Sequence, residues 1–183
     1  KNDTGGLLKL LKHRKPEIRL QAFLALARTR DETVLGEIRK MLDDPDPRVR
    51  AVATLKFGEL GEPGITENLR AIIISGSQRD KIEALRLLAD RGATTELEIS
   101  KILFLALNDK KPMVRLEAVK TMGAIRDLNS LKHLVEGLED RAYQMRLQCA
   151  RALGEIGDES AIYPLIGALV DNHLEVRKAA QDA

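Results

Sequence analysis

Cys149, the histidines His13, His133 and His173, and the glycine-flanked segments Gly58-Glu59-Leu60-Gly61 and Gly154-Glu155-Ile156-Gly157 are the places where this sequence could do chemistry. A thiolate can act as a nucleophile, clustered imidazoles and carboxylates can hold a metal, and a glycine-rich loop can cradle a phosphate. The spacings argue against all three. The histidines are isolated, with no adjacent His-Glu and no Cys-x-x-Cys nearby, so no ligand set assembles on one face. Neither glycine segment leads into Gly-Lys-Ser/Thr, and both fall where a helix is expected to end, which makes capping the better reading. The sequence therefore implies no catalytic residue, no metal and no cofactor.

Composition narrows the class. The 183 residues are 44% apolar and 32% charged, and the aromatics are limited to Phe23, Phe57, Phe104, Tyr143 and Tyr163, a balance that suits a helical protein better than a β-rich one. Thirty basic residues against 28 acidic ones, scattered along the chain, create no field that would recruit nucleic acid or an acidic membrane. A single cysteine forms no internal disulfide, and a reducing, cytoplasmic location follows as the default. No apolar run is long enough to span a bilayer, so no membrane insertion is expected of this segment.

Comparing the chain with itself decides the fold. An apolar residue followed by Arg recurs at Ile18-Arg19, Val49-Arg50, Val114-Arg115, Met145-Arg146 and Val176-Arg177, and a degenerate sixth copy, Asp80-Lys81, fills the one long gap. Four residues after each anchor stand Ala22, Ala53, Ala84, Ala118, Cys149 and Ala180, small residues where backbones must approach closely. Cys149 thus reads as a buried packing thiol that resists alkylation. Eight residues after the anchor come Leu26, Phe57, Leu88, Met122 and Leu153; seven and eleven residues before it come rows of Leu and Ile, Leu42 to Leu169 and Ile38 to Leu165. Apolar positions three and four apart, interrupted by polar breaks such as Arg30-Asp31-Glu32 or Gly157-Asp158-Glu159, predict pairs of helices of roughly a dozen residues. Pro16, Pro47 and Pro112 mark the starts of first helices, where proline sacrifices no hydrogen bond. One such pair cannot cover its own apolar stripe, so the pairs must stack.

The expected fold is an all-α solenoid, a right-handed superhelix of antiparallel helix pairs with about five full repeats and partial ends. Its units are approximately 16–46, 47–77, 78–111, 112–142 and 143–173, with a partial unit 174–183 and a remnant, 1–15, of a preceding one. The whole is expected to be an excerpt of a longer protein. Repeats such as PMVRLEAVKTMGAIRDLNSLKHLVEGLED and YQMRLQCARALGEIGDESAIYPLIGALVD resemble the short HEAT-like repeats of the phycobilisome lyase type. The resemblance covers essentially the whole chain and rests on packing positions, so it speaks to fold more than to function. It implies an Asp and Arg ladder inside the stack and, as one alternative function, an accessory or lyase-like subunit handling a bilin or other cofactor. An iron-dependent hydroxylase family with HEAT-like repeats holds its metal through repeated His-Glu pairs, which this chain lacks. A DNA-repair glycosylase family of similar helices makes nucleic-acid binding a lesser alternative, disfavoured here by the absence of Trp and the near-neutral charge.

Six residues separate Asp44 from Arg50, Asp109 from Arg115, Asp140 from Arg146 and Asp171 from Arg177, a spacing that predicts pairing between each acid and the Arg that follows. One unit departs from the pattern. It carries Ser75 and Lys81 in place of Asp and Arg, Asp80 in place of the apolar anchor, and three extra residues between about Gly92 and Glu98. An irregular joint is expected there, with Arg115 more important to stability than Lys81.

A binding surface is expected at the outward positions of the second helices. The second helix of the irregular unit, 99–107, is apolar nearly all round, with Ile102, Phe104 and Leu105 beyond the usual stripe, and such a helix is either buried or meets a partner. The candidate contact residues are Ile74, Lys101, Leu105, Lys132 and Tyr163, placed on an expected concave face. The leading functional expectation is a non-catalytic scaffold or adaptor that binds another protein or peptide.

Overall fold

The computed structural model describes residues 4–29, 31–59, 65–90 and 97–183, and among these every regular element is helical. The twelve α-helices are α1 (Thr4–Leu10), α2 (Pro16–Thr29), α3 (Glu32–Arg39), α4 (Pro47–Glu59), α5 (Ile65–Ser75), α6 (Gln78–Asp90), α7 (Leu97–Leu107), α8 (Pro112–Ala124), α9 (Leu131–Gly137), α10 (Tyr143–Ile156), α11 (Ile162–Ala168) and α12 (Leu174–Asp182). Long first helices alternate with shorter second ones, the arrangement of an all-α solenoid. The chain divides into two compact units, Lys1–Ile72 and Ile73–Ala183. The insertion expected near 92–98 falls largely on residues outside those described, as do Leu60 and Gly61 of the first glycine segment and Arg30 of the first polar break.

Local chemistry sets the helix ends. Pro16, Pro47 and Pro112 are the first residues of α2, α4 and α8, where a missing N–H costs nothing. Asp31, Asp127 and Asp158 each accept a hydrogen bond from the backbone N–H two residues on, at Thr33, Asn129 and Ser160. The last two caps open a turn of 3-10 helix, Leu128–Ser130 and Glu159–Ala161, before the α-helix proper. Consequently α9 and α11 are seven residues long, shorter than the dozen the periodicity suggests. The degenerate anchor Asp80 has its own explanation. Ser77 N–H and Ser77 Oγ both donate to Asp80 Oδ2, at 3.0 and 2.7 Å, and Asp80 N–H returns a bond to Ser77 Oγ. This is a capping box at the start of α6, so the carboxylate at this position caps its helix, whereas Val49, Val114, Met145 and Val176 at the same position are buried in the core.

Helix α8 ends in a Schellman motif, with Asp127 N–H on Met122 O and Arg126 N–H on Gly123 O. Arg126 takes the left-handed conformation there, φ 54°, while its repeat mate Gly157 takes it at φ 71°. A side chain pays for that conformation and Gly does not. Arg126→Gly is therefore expected to raise the unfolding free energy by about 0.5–1 kcal/mol in a urea melt; a loss of stability would refute the strain.

In Lys1–Ile72, Phe23, Leu26, Ile38, Val49 and Ala53 form the centre of the core, and the rings of Phe23 and Phe57 meet with centroids 6.0 Å apart. In Ile73–Ala183, α8 packs between α6 and α10, and α10 between α8 and α12, while α7, α9 and α11 lie against α8, α10 and α12 respectively. The small-residue column is buried throughout: Ala22, Ala53, Ala84, Ala118, Cys149 and Ala180. At Gly123 a Cβ would stand 2.8 Å from the Cα of Ala152, so α8 and α10 approach nearly backbone to backbone.

Cys149 packs its Sγ against Gly137 of α9 and is 1% exposed. Burial, with a smaller contribution from the negative charge of Asp140, pushes its thiol pKa up to about 12. A protonated, buried sulfur is a poor nucleophile. Native protein is expected to leave Ellman's reagent unreacted while urea-unfolded protein reacts at one thiol per chain; rapid native labelling would contradict the packing role.

Candidate functional site

The ladder of acids and cations forms, but with a different pairing from the one the spacing of six suggests. Arg19 donates from Nε and Nη2 to the two oxygens of Asp44, both at 2.7 Å, although 25 residues separate them. Arg146 likewise forks onto Asp171, at 2.6 and 2.9 Å across the same separation. The Arg six residues after each acid instead uses Nη1 on the main chain. Arg50, Arg115, Arg146 and Arg177 donate to the carbonyl oxygens of Asp44, Asp109, Asp140 and Asp171. The physical reason is reach and geometry. The first turn of a first helix faces the open carbonyls of the turn just before it, leaving the rest of the guanidinium to meet the carboxylate of the following unit.

Lys81 occupies a rung rather than a gap. Its Nζ lies 2.6 Å from Asp109 Oδ2, three residues further along than in the Arg pairs, the length by which its unit exceeds the others. Burial works against the charge on Asp109, but hydrogen bonds from Lys81 Nζ and Lys111 N–H outweigh it and hold the carboxyl below its ordinary range. Arg115 has no carboxylate partner among the described residues: Asp140, its counterpart by register, is exposed and accepts from Ala142 N–H.

Asp171 is held down to about pKa 2, chiefly by the Arg146 hydrogen bonds, then by the N–H of His173 and the nearby positive charges, against an opposing effect of burial. A folded-state value below the unfolded one contributes stability above about pH 4, lost as pH falls towards 2. The difference in urea midpoint between the native chain and Asp171→Asn is thus expected to shrink from pH 5 to pH 2. A constant difference would separate Asp171 from the acid limb.

Each histidine is engaged locally. His13 Nδ1 accepts from Lys15 N–H at 3.1 Å, the His133 ring lies 4.4 Å from that of Phe104, and His173 stacks on Tyr143 at 4.2 Å. Among the described residues no group of three or more His, Cys, Asp or Glu is placed to hold a metal ion. No described helix is long and apolar enough to cross a membrane.

The five candidate contact residues are all exposed. Ile74 and Leu105, 62% and 41% exposed, line one groove of about 520 Å³ at the C-terminal ends of α5 and α7. Lys101, Lys132 and Tyr163 share one repeat position on α7, α9 and α11 but lie outside that groove. Lys101 is paired with Glu98 at 2.5 Å, Lys132 stands 4.0 Å from Glu136, and Tyr163 is 85% exposed. The apolar girth of α7 resolves into two kinds of residue: Ile102 is fully buried, Phe104 is half-buried against His133, and Leu105 alone of the three faces the groove with a large exposed surface.

Sequence reasoning did not single out Lys110 and Lys111, which border the same groove. Their position in the turn between α7 and α8 was legible, but their relation to Ile74 depends on two helix pairs standing side by side. Leu169 departs from expectation as well. It belongs to an apolar row whose other members are buried or half-buried, yet it is exposed with Ile162 and Ile166, because no further second helix covers α11 among the described residues.

No curated protein matches the sequence. Among solved structures, an engineered protein superposes with a TM-score of 0.58 at 21% identity, covering 100% of this chain and 95% of the other. A second engineered protein gives 0.55 at 20% identity, with 100% and 97% covered. Human deoxyhypusine hydroxylase in complex with glycerol gives 0.55 at 20% identity, covering 97% of this chain and 71% of that one. At such identities the likeness is one of fold. The HEAT-repeat family matches over residues 4–89, 66–144 and 131–183, and on that match, together with the stacked helix pairs, this chain belongs to the HEAT-repeat family.

Proposed function

We propose that this chain is a non-catalytic scaffold or adaptor segment that binds a partner protein, in the cytoplasm, through the face formed by its second helices. The observation that carries this reading is the exposed apolar surface on that face: Ile74, Leu105, Tyr163 and Val170 are between 41% and 85% exposed. Large apolar side chains left open to solvent favour association, since burying them against a partner removes them from water. Tyrosine adds a rigid body with a polar tip, a residue type enriched where partners meet.

The test is a quantitative pull-down from native lysate with the chain and with a Leu105→Asp, Tyr163→Ala double variant, each verified as folded by circular dichroism. A defined protein retained by the native chain and lost by the variant supports the reading. Equal retention by both, or none by either, overturns the placement on the second-helix face.

A further inference from the structure

The groove at the ends of α5 and α7 combines an apolar floor with an unbalanced charge, and all of its lining lies within the compact unit Ile73–Ala183. Ile73 is buried beneath it, while Ile74 and Leu105 offer exposed aliphatic surface and Asn108 a polar edge. Two of its charged groups neutralise each other: Lys81 Nζ sits 2.6 Å from Asp109, and the remaining oxygen of that carboxylate accepts from Lys111 N–H at 2.7 Å. Asp109 is the sole acid of the lining. The ammonium groups of Lys110 and Lys111 are exposed and make no ion pair among the described residues. The groove thus presents two uncompensated positive charges beside an uncovered apolar patch.

We infer that this groove takes a peptide segment of the partner in which a bulky apolar side chain is flanked by acidic residues, an inference that rests on the protein-binding reading above. The apolar side chain covers Ile74 and Leu105, and the flanking carboxylates meet Lys110 and Lys111. Charges at a rim contribute mainly to encounter rate and to the rejection of wrong partners, so a basic segment of equal hydrophobicity is excluded. Lys81 and Asp109 hold the α6 and α7 ends together and remain paired with one another when the segment is bound.

The experiment is selection of a displayed library of random dodecapeptides on the native chain, on Lys110→Glu with Lys111→Glu, and on Leu105→Ala. Winning peptides are then synthesised and titrated by fluorescence anisotropy at 50 and 500 mM NaCl. Both lysines are exposed and make no ion pair among the described residues, so their reversal is expected to leave the fold intact, which a thermal melt verifies. The expected winners carry an apolar residue among Asp and Glu, bind the lysine variant about tenfold more weakly at low salt, lose most of that difference at high salt, and bind Leu105→Ala weakly at both. Winners that are neutral or basic, insensitive to lysine reversal yet weakened by Leu105→Ala, would overturn the acidic specificity and leave the protein-binding reading standing. Absence of enrichment, or winners indifferent to both variants, would remove the groove as a binding site altogether.

Discussion

Asp44→Ala is expected to lower stability by about 3–5 kcal/mol, the range for stripping one partner from a buried ion pair. Arg19 and Asp44 are 8% and 3% exposed, and the guanidinium is fully committed: Nε and Nη2 on the carboxylate, Nη1 on the carbonyls of His13 and Arg14. Asp44 Oδ1 also accepts from Asp46 N–H at 2.8 Å and so shapes the turn into α4. Removing the carboxylate strands a positive charge away from water and frees that turn. Asp44 is what raises the Arg19 pKa in the native chain; without it the guanidinium still stays protonated, as arginine does throughout proteins, so deprotonation gives no escape. Hydrogen exchange followed by mass spectrometry on peptides spanning 16–44 reads the effect in the part of the chain that contains the pair. Arg19→Leu with Asp44→Leu is expected to recover part of the loss, because it leaves no charge buried. A cost for Asp44→Ala below about 1 kcal/mol would show that the pair is solvated in practice.

Lys81→Ala is expected to cost more than Arg115→Ala, about 3 kcal/mol against about 1 kcal/mol. This reverses the order that the repeat pattern suggests. Lys81 and Asp109 have side chains only 12% and 9% exposed, and the ammonium is the cation that compensates that carboxylate. Arg115 contributes hydrogen bonds to the carbonyls of Asp109 and Lys110, neutral acceptors at 2.9 and 3.4 Å. Its loss leaves no uncompensated charge behind. Urea melts of the two variants, with Lys81→Met to preserve the aliphatic stem, separate the charge from the packing. A smaller loss for Lys81→Ala than for Arg115→Ala would restore the pattern-based ranking and deny the ion pair its weight.

Both cases show how far a repeat can be read. The column of Ala and Cys, the large residues that follow it and the prolines at helix starts were legible because each reports a local requirement: close approach, core filling, or a spare N–H. The capping box of Ser77 and Asp80 was legible too, since its spacing is a helix-start signal; read as a broken anchor, it concealed a well-formed helix start. The short lengths of α9 and α11 followed from Asp caps that insert a 3-10 turn, a choice that apolar periodicity alone does not encode.

From sequence alone came the all-α stack, its register, the burial of Cys149 and the exposure of Ile74, Lys101, Leu105, Lys132 and Tyr163, because helical periodicity assigns every residue a face. Tertiary structure decided which charges meet and which exposed residues share a groove. Arg19 reaches Asp44 and Lys81 reaches Asp109 across 25 and 28 residues, whereas Arg115 and Asp140, in equivalent register, do not form such a pair. Likewise Ile74 and Leu105 converge with Lys110 and Lys111, while Tyr163 stands elsewhere. Contacts between neighbouring helix pairs depend on ångström-scale offsets and side-chain reach, and those quantities are set by how the pairs lie against one another rather than by the repeat within each.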